Sequence, residues 1–180
     1  MPAIGYALFE TAIGACGIAW SERGIVGVQL PEPSLDTMRA RLRRRHPGAR
    51  ELEPTGDVAA AIVEIRALLD GETRDLSRLA LDLRDVPAFH ARVYELALAI
   101  PRGRTSSYGE IATRLGDPTL ARAVGQALGR NPIPIIIPCH RVVGAGTWDG
   151  GFSGAGGVAT KRRLLEIEGA REPEPPSLFD

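Results

Sequence analysis

The segment Pro134–Gly144, PIIIPCHRVVG, places three isoleucines between two prolines and then a cysteine, a histidine and an arginine in consecutive positions. An apolar run that stops at a proline commonly leaves a core and brings the next side chain to an accessible edge. On its own, Cys139 would be interpreted as a buried, inert thiol. Beside His140 and Arg141, and in the more basic part of the chain, we interpret it as a functional one.

Helices are predicted before this segment. The stretch PAFHARVYELALAIPRG has Pro87 as a first-turn residue, an apolar stripe at helical spacing, and a stop at Pro101–Gly103; the stripe consists of Phe89, Val93, Leu96 and Ile100. In SSYGEIATRLG, Glu110 follows Ser107 by three residues, which is the spacing of a capping box.

A further short helix, DPTLARAVGQALGRNP, follows a tight turn and has Pro118 in its first turn. Two short helices joined in this way predict a helix-turn-helix. Arg122 lies between Ala121 and Ala123, and small neighbours would let this helix enter a groove deeply. The same pattern fits an alanine-rich packed helix, and the sequence leaves both interpretations open.

The first part of the chain predicts a meander of three short strands, GYALFE, GACGIAW and GIVGVQL, in which Cys16 is buried and inert. Two amphipathic helices follow, the first with Ser34 as N-cap and the second with Asp57 as cap. The arginines Arg43–Arg45 are expected to form a solvated face at a helix C-terminus, where cations complement the helix dipole.

These patterns predict an α+β protein. Residues 1–80 would form a small N-terminal supporting domain, with a three-stranded antiparallel sheet and helices. Residues 81–171 would form a mostly helical C-terminal domain that contains the helix-turn-helix candidate. The proline-rich residues 172–180 are expected to be a flexible tail.

Composition excludes several classes of protein. Hydrophobic residues make up 44% and charged residues 24% of the 180 residues, as in ordinary globular domains. An apolar span of about 20 residues, which a membrane helix needs, is missing, and the N-terminus lacks the basic region of a signal peptide. We therefore expect a cytoplasmic protein with free thiols. Two cysteines and three histidines give no zinc-site spacing, so we expect no metal.

Charge is distributed unevenly along the chain. Formal net charge is zero, but residues 87–171 hold eleven basic against six acidic residues, and the remainder has the opposite excess. Such asymmetry is expected when one part of a protein meets phosphates. Ordinary solvated charge explains it about equally well.

The thiol of Cys139 needs a base, because an ordinary cysteine is mostly protonated at neutral pH. His140 could take the proton, directly or through one water, if a third group held the imidazole. Glu166 and Glu168 in the last predicted helix are the candidates. Adjacent cysteine and histidine argue against a papain-like hydrolase, whose histidine is distant in sequence.

The segment NPIPIIIPCHRVVG closely resembles the active-site segment of the O6-alkylguanine-DNA alkyltransferases, or methylated-DNA–protein-cysteine methyltransferases. The resemblance continues upstream through FHARVYELALAIPRGRTSSYGEIATRLGDPTLARAVGQALGRNP and downstream to LLEIEG, covering nearly all of residues 81–169. It implies a monomer that flips O6-alkylguanine out of duplex DNA and accepts the alkyl group itself. Each molecule would act once and need no cofactor.

The resemblance also implies roles for individual residues. Cys139 matches the alkyl acceptor, His140 the base, and Glu168 the residue that orients it through a chain of hydrogen bonds. Asn131 matches an asparagine that braces the turn before the active-site segment. Arg141 is expected to be structural.

Toward the DNA, the resemblance implies four further roles. Tyr108 matches a tyrosine that contacts the base and its neighbouring phosphate. Arg122 matches the arginine that takes the place of the extruded nucleotide. Ser153 and Lys161 match positions near the O6 and N3 edge of guanine.

Three positions depart from the family pattern. Phe152 stands in the pocket wall where tyrosine is usual, and Arg102 stands where tyrosine is often found. Trp148 is unusual at its position, where it could either shape the pocket or pack outside it.

Two functions from other classes compete with alkyl transfer. A non-catalytic helix-turn-helix protein would bind alkylated or ordinary DNA without reacting. A cysteine hydrolase or amidase would turn over many times and would need an oxyanion site. The amount of label transferred to the protein separates the three.

Overall fold

Short stretches of alternating residues form the first strands, as predicted. The computed structural model describes residues 2–146, 148, 156–170 and 172. Strands β1 (Gly5–Thr11), β2 (Gly14–Ser21) and β3 (Gly24–Gln29) form an antiparallel meander, and β4 (Arg50–Glu51) adds to β1 in parallel. The antiparallel three-stranded arrangement is confirmed. Strand β4 was not predicted, because two polar residues show no alternation.

Two helices follow the meander in sequence, α1 (Leu35–Arg45) and α2 (Gly56–Leu69). Ser34 caps α1 as predicted, with its side chain accepting a hydrogen bond from the N–H of Thr37. The prediction that Asp57 caps α2 is wrong. Thr55 holds the N-cap position because its backbone is extended, with φ −129° and ψ 166°. Asp57 instead lies in the first turn, where a carboxylate complements the helix dipole.

The two helices cover opposite faces of the sheet. Met38 and Leu42 of α1 pack with Tyr6 and Ala19, which share one face. A Cβ at Gly17 would lie 2.8 Å from a methyl carbon of Leu42, so this glycine permits the close approach of α1. On the other face, the guanidinium carbon of Arg66 in α2 lies 5.7 Å from the centroid of the Phe9 ring.

The arginines at the end of α1 do more than face solvent. Arg43 Nε donates to the hydroxyl of Tyr6 at 3.0 Å, and Arg45 Nη1 donates to Gln29 Oε1 at 3.0 Å. All three arginines are exposed in the last turn of α1, as predicted, and Arg43 and Arg45 also tie the helix to the sheet. A linear pattern cannot reveal these partners, because they lie on strands remote in sequence.

The chain divides into two units. Met1–Val86 and Pro132–Ile136 form the first, and Pro87–Asn131 and Ile137–Asp180 form the second. Helices of the second unit are α3 (Ala88–Leu98), α4 (Tyr108–Arg114), α5 (Ala121–Gly129) and α6 (Gly157–Ile167). Helix α3 buries Val93, Tyr94 and Ala97, a face rotated from the predicted stripe. The Tyr94 hydroxyl donates to the carbonyl of Ala127 in α5 at 2.7 Å.

The start of α4 is fixed by the predicted capping box, which is confirmed. The hydroxyl of Ser107 accepts from the N–H of Glu110 at 3.1 Å, and the Glu110 carboxylate accepts from the N–H of Ser107 at 2.8 Å. A 3₁₀ turn, Pro118–Leu120, separates α4 from α5. Two short helices with this connection thus follow one another in the second unit.

A two-residue parallel pair positions the start of α4 beside the cysteine segment. Strand β5 (Ser106–Ser107) pairs with β6 (Val142–Val143), and β6 follows a 3₁₀ turn, Cys139–Arg141. Tyr108, the first residue of α4, is thereby held near that turn. In the described part of the chain, no helix has the length and apolarity to cross a membrane.

Candidate active site

Cys139 begins the 3₁₀ turn directly after Pro138, and its side chain is buried. Its N–H donates to the carbonyl of Ile137 at 2.8 Å, and the N–H of Arg141 donates to the carbonyl of Pro138 at 2.9 Å. The side-chain amide of Asn131 donates to the same Ile137 carbonyl at 2.8 Å. Asn131 therefore braces the backbone that presents the thiol.

Burial raises the pKa of the Cys139 thiol. A hydrogen bond with the Asn131 side chain and the positive charge of Lys161 act in the opposite direction but do not overcome burial. The thiol is consequently protonated at neutral pH in the resting protein. Attack by this sulfur requires that a nearby base take the proton.

His140 and Glu168 form a buried contact next to the cysteine. His140 Nε2 lies 3.0 Å from Glu168 Oε1, and both side chains are fully buried. The contact is not a well-aligned hydrogen bond, since the ring N–H does not point closely at the oxygen. Of the two carboxylates that the sequence left open, Glu168 contacts the histidine, whereas Glu166 is exposed.

Arg141 donates two hydrogen bonds to the carboxylate of Glu168. Its Nη2 donates to Glu168 Oε1 at 2.7 Å and its Nε donates to Oε2 at 2.9 Å, while Nη1 donates to the carbonyl of Ile100 at 2.7 Å. Burial alone would raise the pKa of Glu168, but the contacts with His140 and Arg141 lower it to about 2. Glu168 is therefore ionised throughout the physiological range and can stabilise a protonated His140.

Lys161 and Tyr108 lie together near the end of the cysteine segment. The Lys161 ammonium is buried, donates to the carbonyl of Val142 at 2.8 Å, and lies 5.7 Å from the centroid of the Tyr108 ring. Burial raises the pKa of the Tyr108 hydroxyl, as does its proximity to Cys139. The phenol thus stays protonated and remains a hydrogen-bond donor. A Cβ at Gly125 of α5 would lie 3.7 Å from the Tyr108 ring.

Arg122 lies on the exposed side of α5. The opposite side of this helix buries Val124, Ala127 and Leu128. Helix α5 therefore packs through one face and presents Arg122 to solvent on the other. The remaining predicted residues, Phe152 and Ser153, lie outside the described residues.

The structure adds Tyr94 to this region, and it buries Trp148, for which the sequence left two placements open. Tyr94 is buried, and its burial together with the nearby Cys139 raises its pKa to about 12. Trp148 packs with Val143 and Leu165. Sequence patterns did not identify Tyr94, because it lies outside the predicted apolar stripe of its helix. Among the described residues, no group of three histidine, cysteine or acidic side chains could hold a metal ion.

A buried thiol beside a buried histidine–carboxylate contact, on an α+β fold, defines a candidate cysteine-nucleophile protein. A family model for the DNA-binding domain of 6-O-methylguanine DNA methyltransferase matches residues 88–170. The methylated-DNA–protein-cysteine methyltransferase of Mycobacterium tuberculosis (strain ATCC 25618 / H37Rv) is 46% identical over 125 residues, which are 69% of this chain and 73% of that protein. The chain belongs to the methylated-DNA–protein-cysteine methyltransferase family.

Solved structures agree along nearly the whole chain. The crystal structure of the M. tuberculosis O6-methylguanine methyltransferase has a TM-score of 0.73 at 37% identity, covering 98% of this chain and 99% of that one. The M. tuberculosis OGT in complex with DNA has a TM-score of 0.73 at 36% identity, covering 98% and 100%. The likeness therefore extends beyond the matched domain into the N-terminal part, where the sequence offered no specific motif.

Proposed function

We propose that this protein repairs DNA by moving the alkyl group of O6-alkylguanine irreversibly to Cys139. The observation that carries the proposal is the buried Cys139 thiol, whose burial keeps it protonated at rest, next in the chain to the buried His140–Glu168 contact. The relatives are named for the same transfer to a protein cysteine. A protein that only binds DNA would have no need of this arrangement.

The proposed chemistry is a displacement at the alkyl carbon. His140 takes the thiol proton, directly or through one water, and ionised Glu168 stabilises the imidazolium. The thiolate then attacks the alkyl carbon, the carbon–O6 bond breaks, and its electron pair remains on guanine, which regains a proton. Donors at the base stabilise that leaving group. We assign Tyr108, Lys161 and Ser153 to this side of the reaction. The thioether is stable, so each molecule acts once.

We further propose that the second unit binds the duplex through α4 and α5 as a helix-turn-helix. An O6-alkyl group lies within the base stack, so the nucleotide must be flipped out at a cost of a few kcal/mol. The exposed Arg122, between two alanines, would fill the gap it leaves. Residues 81–171 would bind and repair the DNA in the cytoplasm, supported by residues 1–80. A homologous protein has been crystallised with DNA, which supports this assignment.

Mass spectrometry of the protein after incubation with a methylated duplex tests the proposal. We expect one methyl group per molecule, located on Cys139, and no further reaction with excess substrate. Unlabelled protein that binds the duplex would indicate a non-catalytic binding protein. Release of many product molecules per protein would indicate a hydrolase.

A further inference from the structure

The turn after α3 contacts the end of α6 at the peptide that precedes Glu168. Arg102 Nη2 donates to the carbonyl of Ile167, the last residue of α6, at 2.9 Å. Gly103 has φ +79°, and a Cβ there would lie 3.2 Å from the carbonyl oxygen of Glu168. The turn itself is closed by a hydrogen bond from the N–H of Arg104 to the carbonyl of Pro101 at 3.1 Å. Two successive carbonyls of the helix end thus lie against this turn.

The end of a helix is its least constrained part. The last carbonyls of a helix lack partners within it, and terminal turns fray. Glu168 is the C-cap residue of α6, yet its carboxylate must meet Arg141 and His140 at distances of 2.7 to 3.0 Å. A bond from a cation to the Ile167 carbonyl satisfies one terminal acceptor and also complements the helix dipole. It therefore acts on the backbone that sets the place of the carboxylate.

The same short stretch of chain also holds the second partner of Glu168. Ile100 lies just after α3, at the start of the turn. Its carbonyl accepts a hydrogen bond from Arg141 Nη1 at 2.7 Å. Residues 100–103 thereby contact both Arg141 and the end of α6, which meet at Glu168. Neither contact reaches the thiol or a DNA-binding side chain.

We propose that Arg102 is a positioning residue for alkyl transfer: by fixing the Ile167–Glu168 peptide it keeps the Glu168 carboxylate in contact with His140. This inference rests on the proposed function. Arg102 does not touch the reacting atoms, and its effect reaches Cys139 only through Glu168 and His140.

The test compares Arg102→Met, which removes the donors, with Arg102→Lys, which keeps one cationic donor. Arg104→Met is the matched control, because Arg104 is an exposed arginine of the same turn. The measured quantity is the rate constant for benzyl transfer from free O6-benzylguanine to Cys139 as a function of pH. Free base needs no DNA binding or flipping, so these steps cannot contribute. The titratable groups that interact electrostatically with Cys139, namely Tyr94, Tyr108 and Lys161, are the same in all variants.

We expect Arg102→Met to slow transfer at neutral pH by about 10-fold, as a small displacement of a catalytic group does. The loss of rate should shrink at high pH, where the thiol ionises without help. The rise of the rate constant with pH should therefore shift to higher pH. Arg102→Lys should recover most of the rate, and Arg104→Met should match wild type. Thermal denaturation is measured in parallel.

Lower thermal stability of Arg102→Met with an unchanged rate and pH profile would make Arg102 a structural cap and overturn the inference. A transfer rate of Arg102→Lys no higher than that of Arg102→Met would also overturn the inference. So would an equal loss of rate in Arg104→Met. A wild-type protein that takes no methyl group from a methylated duplex onto Cys139, measured alongside, would refute the proposed function instead.

Discussion

Replacing Glu168 by glutamine should destabilise the fold strongly, because it leaves a buried guanidinium without its counter-ion. In the wild-type protein Arg141 donates one hydrogen bond to each carboxylate oxygen of Glu168, at 2.7 and 2.9 Å. Glutamine keeps one oxygen acceptor, but its amide NH₂ would face one of these N–H donors. Breaking one partner of a buried ion pair costs about 3–5 kcal/mol. We therefore expect Glu168→Gln to lower the free energy of unfolding by roughly that amount at pH 7.

The assay is a double-mutant cycle by urea denaturation, with Glu168→Gln, Arg141→Met and the double variant. Loss of the bond from Arg141 to the Ile100 carbonyl is common to both variants that carry methionine, so it cancels in the cycle. We expect a coupling free energy of about 2 kcal/mol or more. The exposed pair of Arg39 and Glu51, which is also doubly hydrogen bonded, provides the control. A cycle on that pair should give a much smaller coupling, because solvent screens it.

The pH dependence of the same variant gives an independent check. The pKa of Glu168 is lowered from 4.5 to about 2 in the folded protein. A lowered carboxyl pKa contributes stability that is complete above the unfolded value and is lost as the pH falls toward the folded value. The shift corresponds to roughly 3 kcal/mol, so the difference between wild type and Glu168→Gln should narrow steadily below about pH 5. A coupling free energy as small as that of the Arg39–Glu51 control would refute the reasoning. So would a stability difference between wild type and Glu168→Gln that does not change with pH.

Three further predictions concern the transfer itself. Cys139→Ala should abolish alkyl transfer but keep affinity for alkylated duplex in a gel-shift assay; label on Cys16, whose burial raises its pKa to about 11, would contradict the assignment. His140→Ala should slow benzyl transfer by roughly 10²-fold without abolishing it, since some thiolate forms without a base; a wild-type rate at pH 7 would exclude His140 as the base. Arg122→Ala should slow repair of duplex DNA far more than reaction with free O6-benzylguanine; equal slowing would indicate a folding or pocket defect, and a purely salt-dependent loss of affinity would make Arg122 a phosphate contact.

Local sequence determined the features that depend on a few neighbouring residues. The antiparallel strands follow from alternation and turn residues within β1 to β3, and the start of α4 follows from Ser107 and Glu110, three residues apart. The proline–cysteine–histidine–arginine run indicated a reactive thiol and the family. Each of these signals is complete within a short stretch, so no distant part of the chain was needed to detect it.

Tertiary structure decided which distant residues meet. Glu166 and Glu168 are equally acidic and nearly adjacent, but positions two apart on a helix face different directions, so only Glu168 reaches Arg141 and His140. The same holds for Lys161, whose ammonium reaches the carbonyl of Val142, and for Arg102 at the end of α6. These contacts join residues 19 and 65 positions apart. Local propensity contains no information at such separations, because the contacts form only when the helices pack.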